Sequence, residues 1–245
     1  MRKLFILSLG ILLIFLYPEV KAFYIQTNDD PTKPGKKTAR PDVPGDLIID
    51  VGFNFLLDQT ENMNTGFWGS KIINVYYYRH FGIGESNFSI NIGLGAGMEK
   101  LSFEDGTYTM GIDADGNTEM VELPGTFDVK KSKLALNYVD LPIEFRFHTN
   151  KNHDTGFRAA IGGKVGYLLN NHTKLVYKED GEKFKVKNDQ DYNIEKIRYG
   201  LLGRLGFPGI NVFCYYGLSS LFKSEKGPEG ADASTWNIGI SITGF

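Results

Sequence analysis

The chain has 245 residues, a formal net charge of −2 and a single cysteine, Cys214. This length fits one domain, and the absence of a basic stripe argues against nucleic acid as a partner. One cysteine cannot build an internal disulfide framework. No segment after the amino terminus approaches 18 consecutive apolar residues, so no helical membrane span is predicted.

The first residues have the organisation of a secretory signal peptide. Arg2 and Lys3 precede an apolar run from Leu4 to Leu16, and Val20-Lys21-Ala22 provides a small-residue cleavage site. The run is shorter than the roughly 20 residues that a spanning helix needs. We therefore predict a signal peptide at residues 1–22 and an exported mature protein.

The next segment, residues 23–45, is predicted to be an extended periplasmic arm. It has no apolar periodicity, and Pro31, Pro34, Pro41 and Pro44 lack the N–H group that a strand ladder requires. A flexible tether is the favoured interpretation, and a segment that binds a partner is the alternative.

Eight later segments alternate apolar and polar residues, as strands with one apolar face do. In the clearest one, every second residue from Val139 to Phe147 is apolar, and Asp140, Glu144 and Arg146 lie on the opposite face. The eight segments are Leu47–Leu57, Ser70–Arg79, Asn87–Glu99, Leu134–His148, Gly156–Leu169, Ile197–Phe207, Ile210–Leu221 and Thr235–Phe245.

The connections between these segments are alternately long and short. The short ones follow the second, fourth and sixth segments, and they are Phe81–Ser86, Thr149–Thr155 and Pro208-Gly209. The long ones are Asp58–Gly69, Ser102–Lys133, Asn170–Lys196 and Phe222–Ser234. Short periplasmic turns and long external loops are typical of outer-membrane barrels, in which closure pairs every backbone group.

The sequence thus predicts an all-β protein of the outer membrane. The predicted fold is an eight-stranded antiparallel up-and-down transmembrane β-barrel over residues 46–245, with long extracellular hairpin loops. Two of those loops carry the Asp-Gly signal of a tight hairpin, at Asp115-Gly116 and at Asp180-Gly181.

Nine charged residues fall on the inward faces of the predicted strands. An interior of eight strands is about wide enough for side chains to fill, so we predict a plugged lumen held by charge pairs. Inward glycines would make room for the long side chains. A narrow pore or transporter for small solutes is the alternative, although channels normally have more strands. The nine residues are Asp50, Glu99, Asp140, Glu144, Arg146, Arg158, Lys164, Arg198 and Arg204.

Aromatic residues are numerous enough to form girdles at the two membrane interfaces. The predicted girdle residues are Tyr76, Tyr77, Tyr78, Phe145, Phe147, Trp68, Trp236, Tyr167 and Tyr199.

We predict no catalytic site, cofactor or metal. In the predicted topology His80, His148 and His153 lie at the periplasmic end, and only His172 lies in an external loop, without a paired nucleophile. A lipid-modifying surface enzyme is therefore the least favoured function. The segment 113–117 lacks the glycine and glutamate spacing of a calcium loop, so a turn is predicted there.

The lysine-rich segment Lys174–Lys187 has two interpretations: a solvated hairpin, which is favoured, or a contact with lipopolysaccharide phosphates. The expected partners are outer-membrane lipid and lipopolysaccharide, the barrel-assembly machinery during insertion, and another envelope protein.

Two segments, Asn137–Glu144 and Ala160–Leu169, resemble the Y-x-x-[IL]-P and G-x-x-x-G-Y-L-L strands of PorT-like outer-membrane β-barrel proteins of Bacteroidetes. The resemblance covers most of the mature chain and implies a barrel. The founding member is linked to protein secretion across the outer membrane and to gliding. The signal peptide, the eight alternating segments, the loop asymmetry and the mixed-charge interior favour a non-enzymatic structural or interaction role in an envelope complex. Phe245 resembles the terminal aromatic residue that the barrel-assembly machinery reads.

Overall fold

The alternating segments form strands that close into one barrel in a computed structural model of the chain. The structure describes residues 45–104, 107–150 and 156–243. The predicted signal peptide 1–22, all but the last residue of the arm 23–45, His153 and Phe245 lie outside the described residues.

The strands differ in length, and two of them are much longer than a membrane crossing requires. In chain order they are β1 (Asp46–Leu57), β2 (Lys71–Gly82), β3 (Phe88–Ser102), β4 (Tyr108–Ile112), β5 (Thr118–Glu122), β6 (Asp128–His148), β7 (Arg158–Glu179), β8 (Glu182–Asn188), β9 (Ile197–Phe207), β10 (Ile210–Gly217) and β11 (Ser234–Thr243). Two short 3-10 turns occur at Glu61–Met63 and Pro228–Gly230. In the described part of the chain, no helix is long and apolar enough to span a membrane.

Eight strands form the barrel, in the order β1-β2-β3-β6-β7-β9-β10-β11. Each pairs with its neighbours antiparallel, and β11 pairs with β1 to complete the ring, with Val51 opposite Ile240. The predicted eight-stranded antiparallel barrel is confirmed. We call the two ends of the barrel the short-turn end, where β1 begins and β11 ends, and the long-loop end.

Both predicted hairpins are present at the long-loop end. Strands β4 and β5 pair with each other around Gly116, and β8 folds back on β7 at Asp180-Gly181. Asp180 and Gly181 both have positive φ, 51° and 85°, as the two central residues of a type I′ hairpin turn require.

The predicted ends of the fourth and fifth strands were wrong. Residues 102–133 and 170–196 were predicted as loops, yet β6 and β7 remain paired from Asn137 and Asn170 to Asp128 and Lys178. The prediction ended each strand where its outward apolar face ends. Above the membrane, a strand needs only backbone partners, so the ladder continues without an apolar outward face.

The outward face of the barrel is apolar. Its large apolar side chains are exposed over a continuous area, which is unusual for a soluble monomer. Among the described residues, ten aliphatic or phenylalanine side chains are more than half exposed: Ile161, Val165, Leu169, Ile197, Leu201, Leu205, Phe207, Ile210, Val212 and Leu218. This surface, which we call the apolar belt, is suited to contact with lipid acyl chains.

The predicted aromatic girdle needs a correction at β2. Tyr76 and Tyr78 are fully buried and point into the lumen, whereas Tyr77 faces outward. Because side chains alternate along a strand, three consecutive tyrosines cannot share one face. Trp68 and Tyr167 are exposed on the outer surface, as predicted.

The exposed position of Leu201 gives a test of the apolar belt. Leu201→Arg places a charge near the middle of β9, and we expect it to lower the free energy of unfolding in lipid vesicles by about 2–4 kcal/mol. The control is Val186→Arg on β8, which lies outside the barrel and is similarly exposed. Equal effects of the two substitutions would contradict the membrane position of the belt.

Candidate functional site in the barrel lumen

Two arginines of β9 organise the inward charges. Arg198 and Arg204 are six residues apart, so the period of two along a strand directs both side chains into the lumen. Each guanidinium is almost fully buried. Each lies between two carboxylates that come from other strands, so the charges form an upper cluster near the long-loop end and a lower cluster.

The upper cluster is centred on Arg198. Its guanidinium pairs with Glu99 of β3 and with Asp140 of β6, where Nη2 lies 2.9 Å from Oδ2. The Nζ atom of Lys164 lies 3.7 Å from the same carboxylate. The Tyr76 hydroxyl donates a hydrogen bond of 2.8 Å to it. Asp140 thus compensates two buried cations and accepts from a phenol.

Aromatic rings complete the surroundings of the upper cations. The Arg198 guanidinium carbon lies 3.6 Å from the centroid of the Tyr138 ring, and Lys164 Nζ lies 3.9 Å from that of Tyr215. A desolvated cation over an aromatic face is a favourable interaction. Asn54 donates to the other carboxylate, Glu99, over 3.2 Å.

The lower cluster is centred on Arg204. Its Nη1 lies 2.6 Å from Asp50 Oδ1, and its Nε lies 2.8 Å from Glu144 Oε1. Arg146 also binds Glu144, over 2.7 Å, and the Tyr78 hydroxyl donates to Glu144. The cluster repeats the upper arrangement, with an arginine between two carboxylates and a phenol on one of them.

Glycines provide the space that the upper cluster needs. Gly97 of β3 and Gly166 of β7 both face the ion pair of Asp140 and Arg198. A Cβ atom at Gly166 would collide with the Asp140 carboxylate and lie 2.8 Å from Arg198 Nε. A larger residue at either position would therefore displace the pair.

Eight of the nine charged residues that the sequence placed inside form these two clusters, and the ninth, Arg158, lines a small cavity with Arg146 and Arg204 of the lower cluster. Glu99, Asp140, Lys164 and Arg198 form the upper cluster, and Asp50, Glu144, Arg146 and Arg204 form the lower one. Arg158 lies at the short-turn mouth, on the wall of a cavity of about 20 Å³. That volume holds about one water molecule.

Sequence reasoning missed the uncharged members of these clusters. Tyr76 and Tyr78 were interpreted as girdle residues, and no contact was predicted for Tyr138 or Tyr215, although all four lie at inward alternate positions of their strands. That positional signal was available in the sequence. The missed residues are Asn54, Tyr76, Tyr78, Tyr138 and Tyr215.

Above the upper cluster, the inward face becomes apolar and is covered by the long loops. We call this group the apolar cap. Tyr138 belongs to it and also contacts Arg198, so the cap and the upper cluster are continuous. The buried residues of the cap are Leu56, Met63, Leu101, Phe103, Met110, Leu134, Leu136, Tyr138, Leu168, Tyr192, Ile194, Leu221, Phe222 and Ala233.

His172 lies on the wall of an open groove of about 590 Å³ between β7 and the segment before β9. Burial, with a smaller contribution from Lys187, lowers the pKa of His172 and so favours the neutral imidazole. Asp189, a carboxylate in the same groove, pairs with Lys187 over 2.9 Å. The described residues that line the groove include no Ser, Thr or Cys.

The turn predicted at residues 113–117 is present. The Asp113 carboxylate accepts hydrogen bonds from the backbone N–H groups of Asn117 and Asp115, at 2.8 and 2.9 Å. These bonds lower the pKa of Asp113 and close the turn between β4 and β5. Within the described ranges, no group of three His, Cys, Asp or Glu side chains could hold a metal ion.

A closed barrel with a charged interior and an apolar exterior agrees with comparisons to known proteins. The family model of the outer membrane protein beta-barrel domain matches residues 48–223. The chain belongs to this family. The protein is therefore an integral outer-membrane β-barrel, as the sequence predicted.

Solved structures give a more distant similarity. The attachment invasion locus protein Ail of Yersinia pestis is 13% identical, and the match covers 82% of this chain and 100% of Ail, with a TM-score of 0.36. The same protein in complex with the heparin analogue sucrose octasulfate matches with equal identity and coverage and a TM-score of 0.35. No curated protein sequence matches the chain.

Because Arg198 lies between two carboxylates, its removal is expected to lower the stability of the barrel. Arg198→Met leaves Glu99 buried without a cation and Asp140 with Lys164 alone, and we expect a loss of about 3–5 kcal/mol in urea unfolding from lipid vesicles. Adding Glu99→Gln should restore most of it, because Asp140 then remains paired with Lys164.

The control is Lys223→Met, which removes an exposed pair with Asp191 (3.3 Å). Exposed pairs contribute only about 0–1 kcal/mol. If Arg198→Met cost no more than this control, the clusters would not stabilise the barrel.

Proposed function

We propose that the protein is a non-enzymatic outer-membrane barrel with a closed lumen, and that it acts as a structural or interaction component of an envelope complex. The observation that carries this proposal is the position of Arg198 and Arg204, each held between two carboxylates from distant strands.

We attribute closure of the lumen to ion pairs that cross it from one side of the barrel to the other. In the ring of strands, β9 is three positions from β3 and three from β1, so Arg198–Glu99 and Arg204–Asp50 pairs cross the interior. A permeating ion would have to separate buried charges, which costs several kcal/mol. The apolar cap adds a second barrier, since narrow apolar constrictions exclude water and ions.

The same pairing argues against catalysis in the lumen. Asp50, Glu99, Asp140 and Glu144 each bind an arginine, so none is available as a general base. On the outside, His172 lies in a groove whose two carboxylates, Asp189 and Asp191, are each paired with a lysine. Both arrangements support a role in binding or structure rather than in catalysis.

The resemblance to PorT-like proteins of Bacteroidetes supports a more specific version of this proposal. In that version the barrel belongs to the PorT-like group and takes part in a secretion-related complex of the envelope. The β4–β5 hairpin and the β7–β8 hairpin extend beyond the barrel at the long-loop end, where a second envelope protein would meet them.

Reconstitution into planar bilayers tests closure. We expect no discrete conductance steps from the wild-type protein, because buried side chains fill its lumen at two levels. A porin inserted under the same conditions controls for failed insertion and should conduct. Reproducible steps from the wild-type protein would favour the pore alternative.

Extraction of the outer membrane in mild detergent tests membership of a complex. We expect the native protein to migrate well above the mass of a single barrel in its detergent micelle. The control is the same chain refolded alone, which should migrate as a monomer. Identical migration of the two samples would count against an envelope complex.

A further inference from the structure

Five lysines lie on five neighbouring strands at the long-loop end, and we call them the lysine row. Lys71 is directly opposite Lys100, Lys133 is opposite Lys174, and Lys174 is opposite Lys187. Lys100 is opposite Ala135, which places it diagonally to Lys133. The members are Lys71 of β2, Lys100 of β3, Lys133 of β6, Lys174 of β7 and Lys187 of β8.

All five side chains are on the outer surface. The next residues along the strands, Ile72, Leu101, Leu134 and Thr173, are buried inside the barrel. Since faces alternate along a strand, the lysines beside them point outward. Lys187 lies opposite Lys174 and shares its face.

This arrangement is unfavourable in the isolated protein. Like charges directly opposite each other on neighbouring strands destabilise a sheet. Lys187 has a carboxylate partner, Asp189, at 2.9 Å. Among the described residues, the other four members form no ion pair with a carboxylate.

The ammonium groups are close enough to affect each other. Lys133 lies beyond the membrane-crossing part of β6, and its pKa is lowered mainly by partial burial. The positive charges of Lys131, Lys100, Lys71 and Lys174 lower it further. A bound anion would relieve this repulsion.

The height of the row identifies the anion. Ile73 and Met98, two residues further toward the short-turn end than Lys71 and Lys100, are exposed and belong to the apolar belt. At about 3.3 Å per residue, Lys71 and Lys100 lie roughly 7 Å along their strands beyond that edge of the belt, and Lys133, which is six residues beyond the exposed Val139 on β6, lies further out. The row therefore starts at the level of lipid headgroups and extends outward from it, so the apolar stems can lie along the barrel while the charges reach phosphates.

The row also occupies only one side of the barrel. At a similar height on β1 and β11, the outer surface carries Phe53, Phe55 and Trp236, with Phe67 and Trp68 packed against them. Lysines that served only to mark the interface would be expected around the whole circumference. Their restriction to one sector is typical of a site for a particular headgroup.

We propose that the lysine row binds the phosphate groups of lipopolysaccharide in the outer leaflet, in place of the divalent cations that otherwise bridge them. The proposal places the long-loop end outside the cell and does not depend on a closed lumen. It differs from the contact considered on sequence alone, since Lys178, Lys183 and Lys185 of the hairpin are not in the row.

The test uses the mature chain refolded in detergent micelles, with bisphosphorylated lipid A as the probe. The row variant is Lys71→Gln/Lys100→Gln/Lys133→Gln. The matched control is Lys178→Gln/Lys183→Gln/Lys185→Gln, which removes the same charge from the hairpin. Binding is followed as the increase in the thermal unfolding midpoint with lipid A concentration.

We expect the wild-type protein and the hairpin control to be stabilised equally, and the row variant to bind roughly 100-fold more weakly, since each lysine near an anionic lipid surface contributes about a factor of five. Lys100→Gln alone, with an expected loss of roughly fivefold, serves if the triple variant does not fold.

Three results would overturn the proposal. The first is equal affinity of the row variant and the hairpin control. The second is undiminished binding of dephosphorylated lipid A. The third is equal stabilisation by inorganic phosphate, which would identify a free anion rather than a lipid as the ligand. None of these results depends on whether the lumen conducts.

Discussion

The pairing of buried charges is the constraint on which the rest of this barrel depends. Strand alternation directs one side chain in two into a narrow interior, and a membrane protein of this kind must keep its polar residues there. A guanidinium in that space is tolerable only when carboxylates compensate it. Arg198 and Arg204 satisfy this condition twice, with partners drawn from β1, β3 and β6. The ion pairs therefore connect strands that share no backbone hydrogen bonds.

The uncharged residues of the interior follow from the same requirement. Gly97 and Gly166 are small because the pair of Arg198 and Asp140 occupies the space beside them. Tyr76 and Tyr78 bring a hydroxyl to a carboxylate and an apolar ring to the wall, so they satisfy the remaining acceptors without adding charge. Toward the long-loop end, the strands extend beyond the membrane and water is available at the rim. There the interior can be apolar, and the loops cover it as the core of a soluble protein is covered.

The sequence contained most of the fold but less of the site. Alternation along segments such as Leu134–His148 was sufficient to predict eight strands and the inward charges, because the period of two is imposed by backbone geometry. The pairing of each charge was not predictable, since Arg204 and Asp50 are 154 residues apart and meet only through barrel closure. The apolar cap was missed for a related reason. Half of its members, among them Tyr192, Ile194 and Phe222, lie outside the strands, in segments that have no periodicity to read.

The same sheet register positions charges on both faces of the barrel wall. The chain compensates the inner charges but not most of the outer lysine row. Inside, Arg198 and Arg204 each meet carboxylates supplied by the chain itself, so these interactions are complete within the protein. Outside, Lys71, Lys100 and Lys133 are brought together with no carboxylate of the described chain between them. A fold that compensates its interior so fully has the means to compensate its exterior as well. That it leaves this sector uncompensated, at the level of the headgroups, argues that the missing negative charge belongs to the membrane.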